Sequence, residues 1–199
     1  MTELEAINVL LGNIGTSPVN SLNTGHPDAT AAEKTLNRWR ERIQRRGWWF
    51  NVDYQVTLQR EPVTNKIPVL NVVSAELPDQ TIVKRGDYLY NRVTQSYIFT
   101  EDAFAQRVIR YVVWDDLPDV AQEFALNLAG AEFVRDEIED TNKQLSLEQS
   151  AELARQELVA QDLREQNFNS FDKSRVARAR GGVRPYGRGT ARFYGTPDA

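Results

Sequence analysis

The junction between a predicted helix and a predicted strand reads Gln44-Arg45-Arg46-Gly47-Trp48-Trp49-Phe50-Asn51. Before it, apolar residues recur at helical spacing, namely Ala32, Leu36, Trp39 and Ile43. After it, apolar residues alternate with polar ones, as in a strand with one buried face: Phe50, Val52, Tyr54, Val56 and Leu58. Gly47 stands where a helix would need a left-handed cap. This stretch therefore predicts a helix that passes directly into a strand.

Length and composition indicate a folded domain of ordinary make-up. A chain of 199 residues, 41% hydrophobic and 26% charged, can bury roughly 70% of its unfolded surface. No apolar run approaches the roughly 20 residues that a membrane span requires. The first residues, Met1-Thr2-Glu3-Leu4-Glu5, carry acids where a secretory signal would carry bases. We predict neither membrane association nor export by such a signal.

The residues most often used in catalysis are scarce in this chain. It has no cysteine and one histidine, so disulfides, thiolate zinc sites and thiol nucleophiles are excluded. His26, flanked by Gly25 and Pro27, is interpreted as a loop residue. The chain also lacks a phosphate-binding glycine loop, a zinc-binding His-Glu-x-x-His helix and a dinucleotide turn. We therefore predict no metal and no cofactor.

Carboxylates are the catalytic groups that remain. A glycoside hydrolase needs only two of them, about 5 to 9.5 Å apart, and the candidates are Asp53, Asp87, Asp115, Asp116 and Glu123. The structural interpretation is stronger, because Asp115 and Asp116 precede Pro118 as residues of a helix start. We predict no enzymatic activity, with a carboxylate-dependent glycoside hydrolase as the weaker alternative.

The chain is predicted to be an α+β protein. Residues 1–47 and 115–166 form a four-helix body, and Thr2 followed by Glu5 has the spacing of a capping box at its first helix. Residues 48–114 form a small inserted antiparallel β region, with candidate strands at 49–59, 67–74, 81–84, 87–92, 96–100 and 107–114. Gly86 and Asp87 predict a hairpin turn. Residues 167–199, where apolar periodicity ends, are predicted to be an extended, flexible basic arm.

The third predicted helix carries apolar residues on two sides. Its main stripe is Leu117, Val120, Phe124, Leu128, Ala131 and Ile138, and a second stripe holds Leu126 and Phe133. Such a helix is either central in its own domain or shared with a neighbouring subunit. We predict the second case, with Leu126 and Phe133 at a subunit interface.

Charge is unevenly distributed along the chain. Residues 172–199 hold seven lysines and arginines against two aspartates, which gives a charge of +5. Since the net charge of the chain is −4, residues 1–171 carry −9. This arm fits docking on an acidic protein surface, including another copy, through Arg175, Arg178, Arg180, Arg184, Arg188, Arg192, Tyr186, Phe193 and Tyr194. Two alternatives stay open: nucleic-acid binding by arginines and stacking aromatics, and a solvated extension without a role.

Four blocks of sequence resemble one known family. They are Leu4-Glu5-Ala6-Ile7-Asn8-Val9-Leu10-Leu11-Gly12-Asn13-Ile14-Gly15 with Pro18-Val19, the stretch from Ala31 through Ile43 to Asn51, Arg85-Gly86-Asp87-Tyr88-Leu89-Tyr90-Asn91, and Leu117-Pro118. Across residues 4–135 the chain resembles the tail tubular protein A family, the tail adaptors of short-tailed bacteriophages. It departs from the family at Thr16, where an acidic residue is usual, and in its arginine-rich arm.

The resemblance implies a structural protein of the virion tail, assembled in the host cytoplasm. It implies a ring of twelve subunits between the portal protein and the tail nozzle, which is tail tubular protein B, around a channel that DNA passes without sequence recognition. The helical body would build the ring, and the β region would contact the nozzle or a neighbouring subunit. The arm would dock on the portal or an adjacent adaptor.

Overall fold

The computed structural model describes residues 1–22 and 25–180. In this part of the chain the elements are α1 (Glu3–Asn13), α2 (Pro27–Gln44), β1 (Val52–Leu58), β2 (Val72–Glu76), β3 (Ile82–Arg85), β4 (Tyr88–Asn91), β5 (Ala103–Arg110), a 3-10 turn (Trp114–Asp116), α3 (Asp119–Glu137) and α4 (Thr141–Arg180). The chain divides into two units, Met1–Asp162 and Leu163–Ala199. The predicted α+β class is confirmed.

Helices α1 and α3 begin where the sequence analysis predicted. The backbone N–H of Thr2 donates to Glu5 Oε2 over 2.8 Å, and the N–H of Glu5 donates to Thr2 Oγ1 over 3.3 Å, so the predicted capping box is present. The hydrogen bond from the Thr2 N–H lowers the pKa of the Glu5 carboxyl. Pro27 is the first residue of α2, and Pro118 directly precedes α3.

The helical body has one hydrophobic core around α3. Helices α1, α2 and α3 contact one another, and α4 adds Leu158 to the same cluster. A Cβ at Gly130 of α3 would lie 3.4 Å from Leu147 Cδ1 and 3.6 Å from Leu10 Cδ2, so α1 and α4 both approach α3 closely. The buried members of the core include Ile7, Leu10, Leu11, Leu36, Trp48, Trp114, Leu126 and Phe133.

The β region has a core of its own between two small antiparallel sheets. One sheet has the order β1-β5-β2, and the other is the two-stranded ribbon β3-β4. The predicted hairpin turn is confirmed, because Arg85 pairs with Tyr88 and Gly86 has a φ of 62°. The buried residues between the sheets are Leu58, Ile67, Val69, Val72, Leu89, Ala103, Ala105 and Val108.

Several predicted strands are displaced. The strand predicted at 49–59 begins at Val52, because the Asn51 N–H bonds to Trp48 O and closes a turn. The one predicted at 67–74 lies at Val72–Glu76, and the one predicted at 107–114 lies at Ala103–Arg110. Residues 96–100 make only an isolated bridge, between Asn91 and Ser96.

The alternation predicted for β1 is also interrupted. Tyr54 is 62% exposed although Leu58, on the same predicted face, is buried. The interruption lies at Gln55, whose φ of 56° is left-handed and breaks the period of two.

The last helix extends beyond the predicted end of the helical body at residue 166. α4 begins at Thr141, and its backbone continues to Arg180. Residues 167–180, predicted as the start of an extended arm, are therefore helical. They contain no glycine or proline before Gly181 and include helix-forming alanines and arginines. Residues 181–199 lie outside the described residues.

Candidate assembly surfaces

Leu126 and Phe133 lie inside the helical body. They are 8% and 2% exposed and belong to the same core cluster as Trp114. The premise that one copy cannot bury them is wrong, because α3 is surrounded by α1, α2 and the start of α4. A helix with two apolar stripes is here a central helix. An interface between subunits has to draw its apolar surface from other residues.

A buried amide network joins the body to the β region. Asn51 Nδ2 donates to the carbonyls of Gln44 (3.0 Å) and Arg110 (2.9 Å), and Asn51 Oδ1 accepts from the Trp48 N–H (2.7 Å). The Gln44 side chain exchanges two hydrogen bonds with the backbone of Val112. Because Gln44 ends α2, Arg110 ends β5 and Val112 follows two residues later, this network fixes the β region against the body.

The glycine of this junction has the predicted left-handed conformation. Gly47 has a φ of 76°, and a Cβ there would lie 2.8 Å from Ile109 Cδ1 and 2.5 Å from an amino group of Arg107. The next residue, Trp48, is 2% exposed, and its indole N–H donates to Ile43 O over 2.7 Å. The close approach of β5 therefore requires a residue without a side chain at position 47.

Helix α4 reaches the same junction. The backbone N–H of Trp49 donates to Asp162 Oδ1 over 3.0 Å, and Asp162 is only 6% exposed. Helices α2 and α4 and strand β5 thus converge at the residues that flank Gly47. The sequence analysis missed Asn51 and Asp162, because a buried polar residue carries no periodic signal.

Replacing Asn51 by alanine should weaken this junction. The change removes two donated hydrogen bonds and leaves the Trp48 N–H buried without its partner, so we expect a loss of about 2–4 kcal/mol in the free energy of unfolding. Urea denaturation measures it, and Gln106→Ala on the exposed face of β5 is the control. Equal midpoints for Asn51→Ala and the unchanged chain would contradict the role of the network.

A pocket lies between α2, α3 and α4. It has a volume of about 440 Å³ and is lined by Trp39, Arg42, Leu128, Ala131, Glu132, Arg135 and Glu148. The Trp39 indole N–H donates to Glu132 over 2.5 Å, and Arg38 lies 2.7 Å from the same carboxylate. Because Glu132 already has two donors, its charge serves to hold α2 on α3.

The candidate catalytic carboxylates are dispersed and serve local structure. Asp53 pairs with Arg110 over 2.6 Å, and Asp115 accepts a hydrogen bond from the Glu3 N–H. Asp116 lies in the 3-10 turn. Asp87 lies at the hairpin turn, and Glu123 is exposed on α3. Within residues 1–22 and 25–180, no group of three histidine, cysteine or acidic side chains could hold a metal.

The shifted carboxyl pKa values also belong to local surface pairs. The Arg155 guanidinium lowers the pKa of Glu152 to about 2 through hydrogen bonds one helical turn away. Hydrogen bonds from Thr81 lower the pKa of Asp79 in a turn. A catalytic carboxylate is expected in a cleft with its pKa shifted by burial and charge, and these groups lie on the open surface.

Three aliphatic side chains project from ordered loops of the β region. Val63 is 90% exposed, Val93 is 73% exposed and Ile98 is 62% exposed. Asn91 Oδ1 holds the turn of Val93 by accepting its N–H over 2.8 Å. The Phe99 N–H donates to Asn65 O over 2.8 Å and ties the loop of Ile98 to that of Val63. The sequence analysis did not single them out, because isolated loop residues show no periodicity.

The residues predicted for arm docking are only partly described. Arg175, Arg178 and Arg180 lie on the backbone of α4. The other docking residues lie outside the described residues, namely Arg184, Arg188, Arg192, Tyr186, Phe193 and Tyr194.

Comparison with known proteins gives one consistent result. A family model described as tail tubular protein matches residues 4–168, which include the helical body, the β region and most of α4. A tail tubular protein A from Klebsiella phage KP34 is 29% identical over 180 residues, covering 89% of this chain and 95% of that protein. No helix in the described ranges is long and apolar enough to cross a membrane.

Proposed function

Because the chain belongs to the tail tubular protein family, we propose that it forms a ring adaptor between the capsid portal and the tail nozzle. The chain is a structural component of the virion tail. In the proposal, twelve copies enclose part of the channel through which DNA leaves, without sequence recognition and without catalysis. The helical body builds the ring, the β region faces the nozzle or a neighbour, and the arm docks on the portal or the next copy.

The fixed junction between body and β region is the observation that best supports an adaptor. An adaptor must hold two binding surfaces at a defined separation. α3 has 19 residues and is therefore roughly 28 Å long. The β region joins the body near the start of α3, so the turn between α3 and α4 lies at the far end. The network of Gln44 and Asn51 keeps this separation constant.

Electron microscopy of the purified chain mixed with portal particles tests the proposal. We expect a ring of added density at the portal vertex that contains twelve copies of the chain. The same particles without the chain are the control. Portal particles that carry no added density at any protein concentration would refute the adaptor.

Removing the arm should weaken attachment. A chain truncated after Phe171 loses the whole +5 charge of residues 172–199. We therefore expect it to bind portal particles more weakly than the full-length chain, with a difference that shrinks as salt rises. The matched control replaces Arg184, Arg188 and Arg192 by lysine, which keeps the charge and should keep most of the binding. Unchanged attachment of the truncated chain in co-sedimentation would leave the arm without this role.

The competing hypotheses predict different observations. A nucleic-acid-binding module built on the arm would retard DNA, with affinity falling steeply as salt rises. A carboxylate-dependent glycoside hydrolase would release sugar, and changing one acid to its amide would abolish the release. The adaptor proposal expects neither result from the purified chain.

A further inference from the structure

The outer face of the β3-β4 ribbon carries a cluster of tyrosines and cations. Tyr88 and Tyr90 lie two residues apart on β4 and therefore share one face. Leu89, between them, faces the other way and is fully buried in the core of the β region. We call the outer side the tyrosine face, and it comprises Lys66, Val83, Arg85, Tyr88, Tyr90 and Tyr97.

Strand pairing places the other members of the tyrosine face beside these two rings. Arg85 pairs with Tyr88 and Val83 pairs with Tyr90 across the ribbon, and directly opposed residues share a face. On the other edge of β4, Pro68 bridges to Tyr88. The neighbours of Pro68, Ile67 and Val69, are buried. The segment that contains Lys66 thus extends the same outer surface.

The side chains of the tyrosine face are locked together. The Tyr90 and Tyr97 rings meet edge to face with centroids 4.8 Å apart. The Arg85 guanidinium lies 3.8 Å from the Tyr90 centroid, and Lys66 Nζ lies 5.1 Å from that of Tyr88 and 5.9 Å from that of Tyr97. Tyr88, Tyr90 and Tyr97 are half-buried in this chain alone, and Arg85 is exposed. Such contacts favour these rotamers in the free chain, so the side chains are partly ordered before a partner binds.

We propose that the tyrosine face is the surface by which the β region binds a carboxylate-rich surface of the next protein in the tail. Tyrosine and arginine are enriched among the residues that dominate protein interfaces, and preordered side chains lose little entropy on binding. Lys66 and Arg85, which lie on the tyrosine rings, favour an acidic partner. Carboxylates of the partner can bind these two cations, while the tyrosines cover apolar side chains of the partner around the carboxylates. Asp87, exposed at the hairpin turn, is the acid nearest in sequence and repels a partner placed over the turn itself. The inference rests on the proposed adaptor role, which supplies a next protein.

The test uses full-length chains assembled on portal particles, to which purified nozzle protein is added and measured by co-sedimentation. The variants are Arg85→Glu and Tyr90→Ala, with Arg85→Lys as the charge-conserving control and Phe104→Ala, on an exposed position of β5, as the aromatic control. Circular dichroism melting selects variants that stay folded, and Lys66→Glu replaces any that do not. We expect Arg85→Glu and Tyr90→Ala each to weaken nozzle binding about 10- to 30-fold. The control substitutions should change nozzle binding less than about threefold. Higher salt should weaken nozzle binding by the unchanged chain.

The outcomes separate this inference from the adaptor proposal. If the unchanged chain forms rings that bind the nozzle and both variants bind equally well, the tyrosine face is not the docking surface. If the variants lose ring formation on the portal, the face is a contact between copies, and the inference is wrong. If the unchanged chain retards DNA in a gel, and the variants lose this retardation but keep nozzle binding, the partner of the face is a phosphate backbone. The inference is again wrong in that case. Failure of the unchanged chain to form rings refutes the adaptor instead, and binding of the nozzle to free chain then still tests the face.

Discussion

Gly47→Ala is expected to lower the free energy of unfolding by about 2–4 kcal/mol. Alanine at a φ of 76° costs about 1–2 kcal/mol by itself. The added Cβ would also meet Ile109 Cδ1 at 2.8 Å and an amino group of Arg107 at 2.5 Å. The Arg107 side chain can swing away, but Ile109 is 5% exposed and packed. The Ile109 side chain, or the strand that carries it, must therefore shift.

Gly15→Ala is a matched control for this change. Gly15 has nearly the same φ, 78°, and a Cβ there would have nothing within 4 Å. Its substitution should cost only the backbone strain, about 1–2 kcal/mol. Urea unfolding of both variants isolates the close approach of β5 as the difference between them. Equal losses would mean that the junction has room for a side chain.

Phe133→Ala is expected to lower the free energy of unfolding by about 3–5 kcal/mol. Phe133 is 2% exposed in the core around α3, so truncation leaves a cavity that the surrounding helices fill only in part. Phe104→Ala, at a position 48% exposed, should cost less than about 1 kcal/mol. Thermal or urea unfolding compares the two.

Variants at Phe133 also distinguish an effect on folding from an effect on assembly. Phe133→Arg would place a charge in the core, so we expect loss of folding and not a folded monomer that fails to assemble. A Phe133→Ala variant with unchanged stability that no longer joins portal particles would reverse this conclusion. It would return Phe133 to the subunit interface.

The predictable parts of the fold are those with local signals. The Thr2–Glu5 capping box, the apolar stripe of α2, the left-handed Gly47 and the hairpin at Gly86 all lie where the sequence indicates. Each of these depends on residues within a few positions of one another. Local physics was sufficient for them.

Features that depend on distant residues were not predictable. The second stripe of α3 shows that Leu126 and Phe133 are covered, but periodicity does not say whether the cover is another helix of the same chain or a second copy. β1 starts later than predicted because Trp48 to Asn51 form a turn, which the Asn51 side chain ties to Gln44 and to Arg110, 59 positions away. The continuation of α4 past residue 167 reflects helix propensity, which persists after the apolar stripe ends.

The candidate surfaces follow the same rule. The sequence identified the basic arm, because charge composition is visible without a structure. It did not identify the tyrosine face, because Lys66, Tyr88 and Tyr97 come together only when two loops and a ribbon fold against one sheet. Single tyrosines in a strand pattern predict only a strand.

The stiff joint at Gln44 and Asn51 has a mechanical consequence for a closed collar of such subunits. In the proposed ring, a copy whose body and β region are held together by this network would move as one lever, so a small tilt of its body would swing its loops through a larger arc. A change in the channel diameter at the end formed by the β regions would then require all copies to tilt together. Weakening this junction by Asn51→Ala would let the β region of one copy move independently of the other copies.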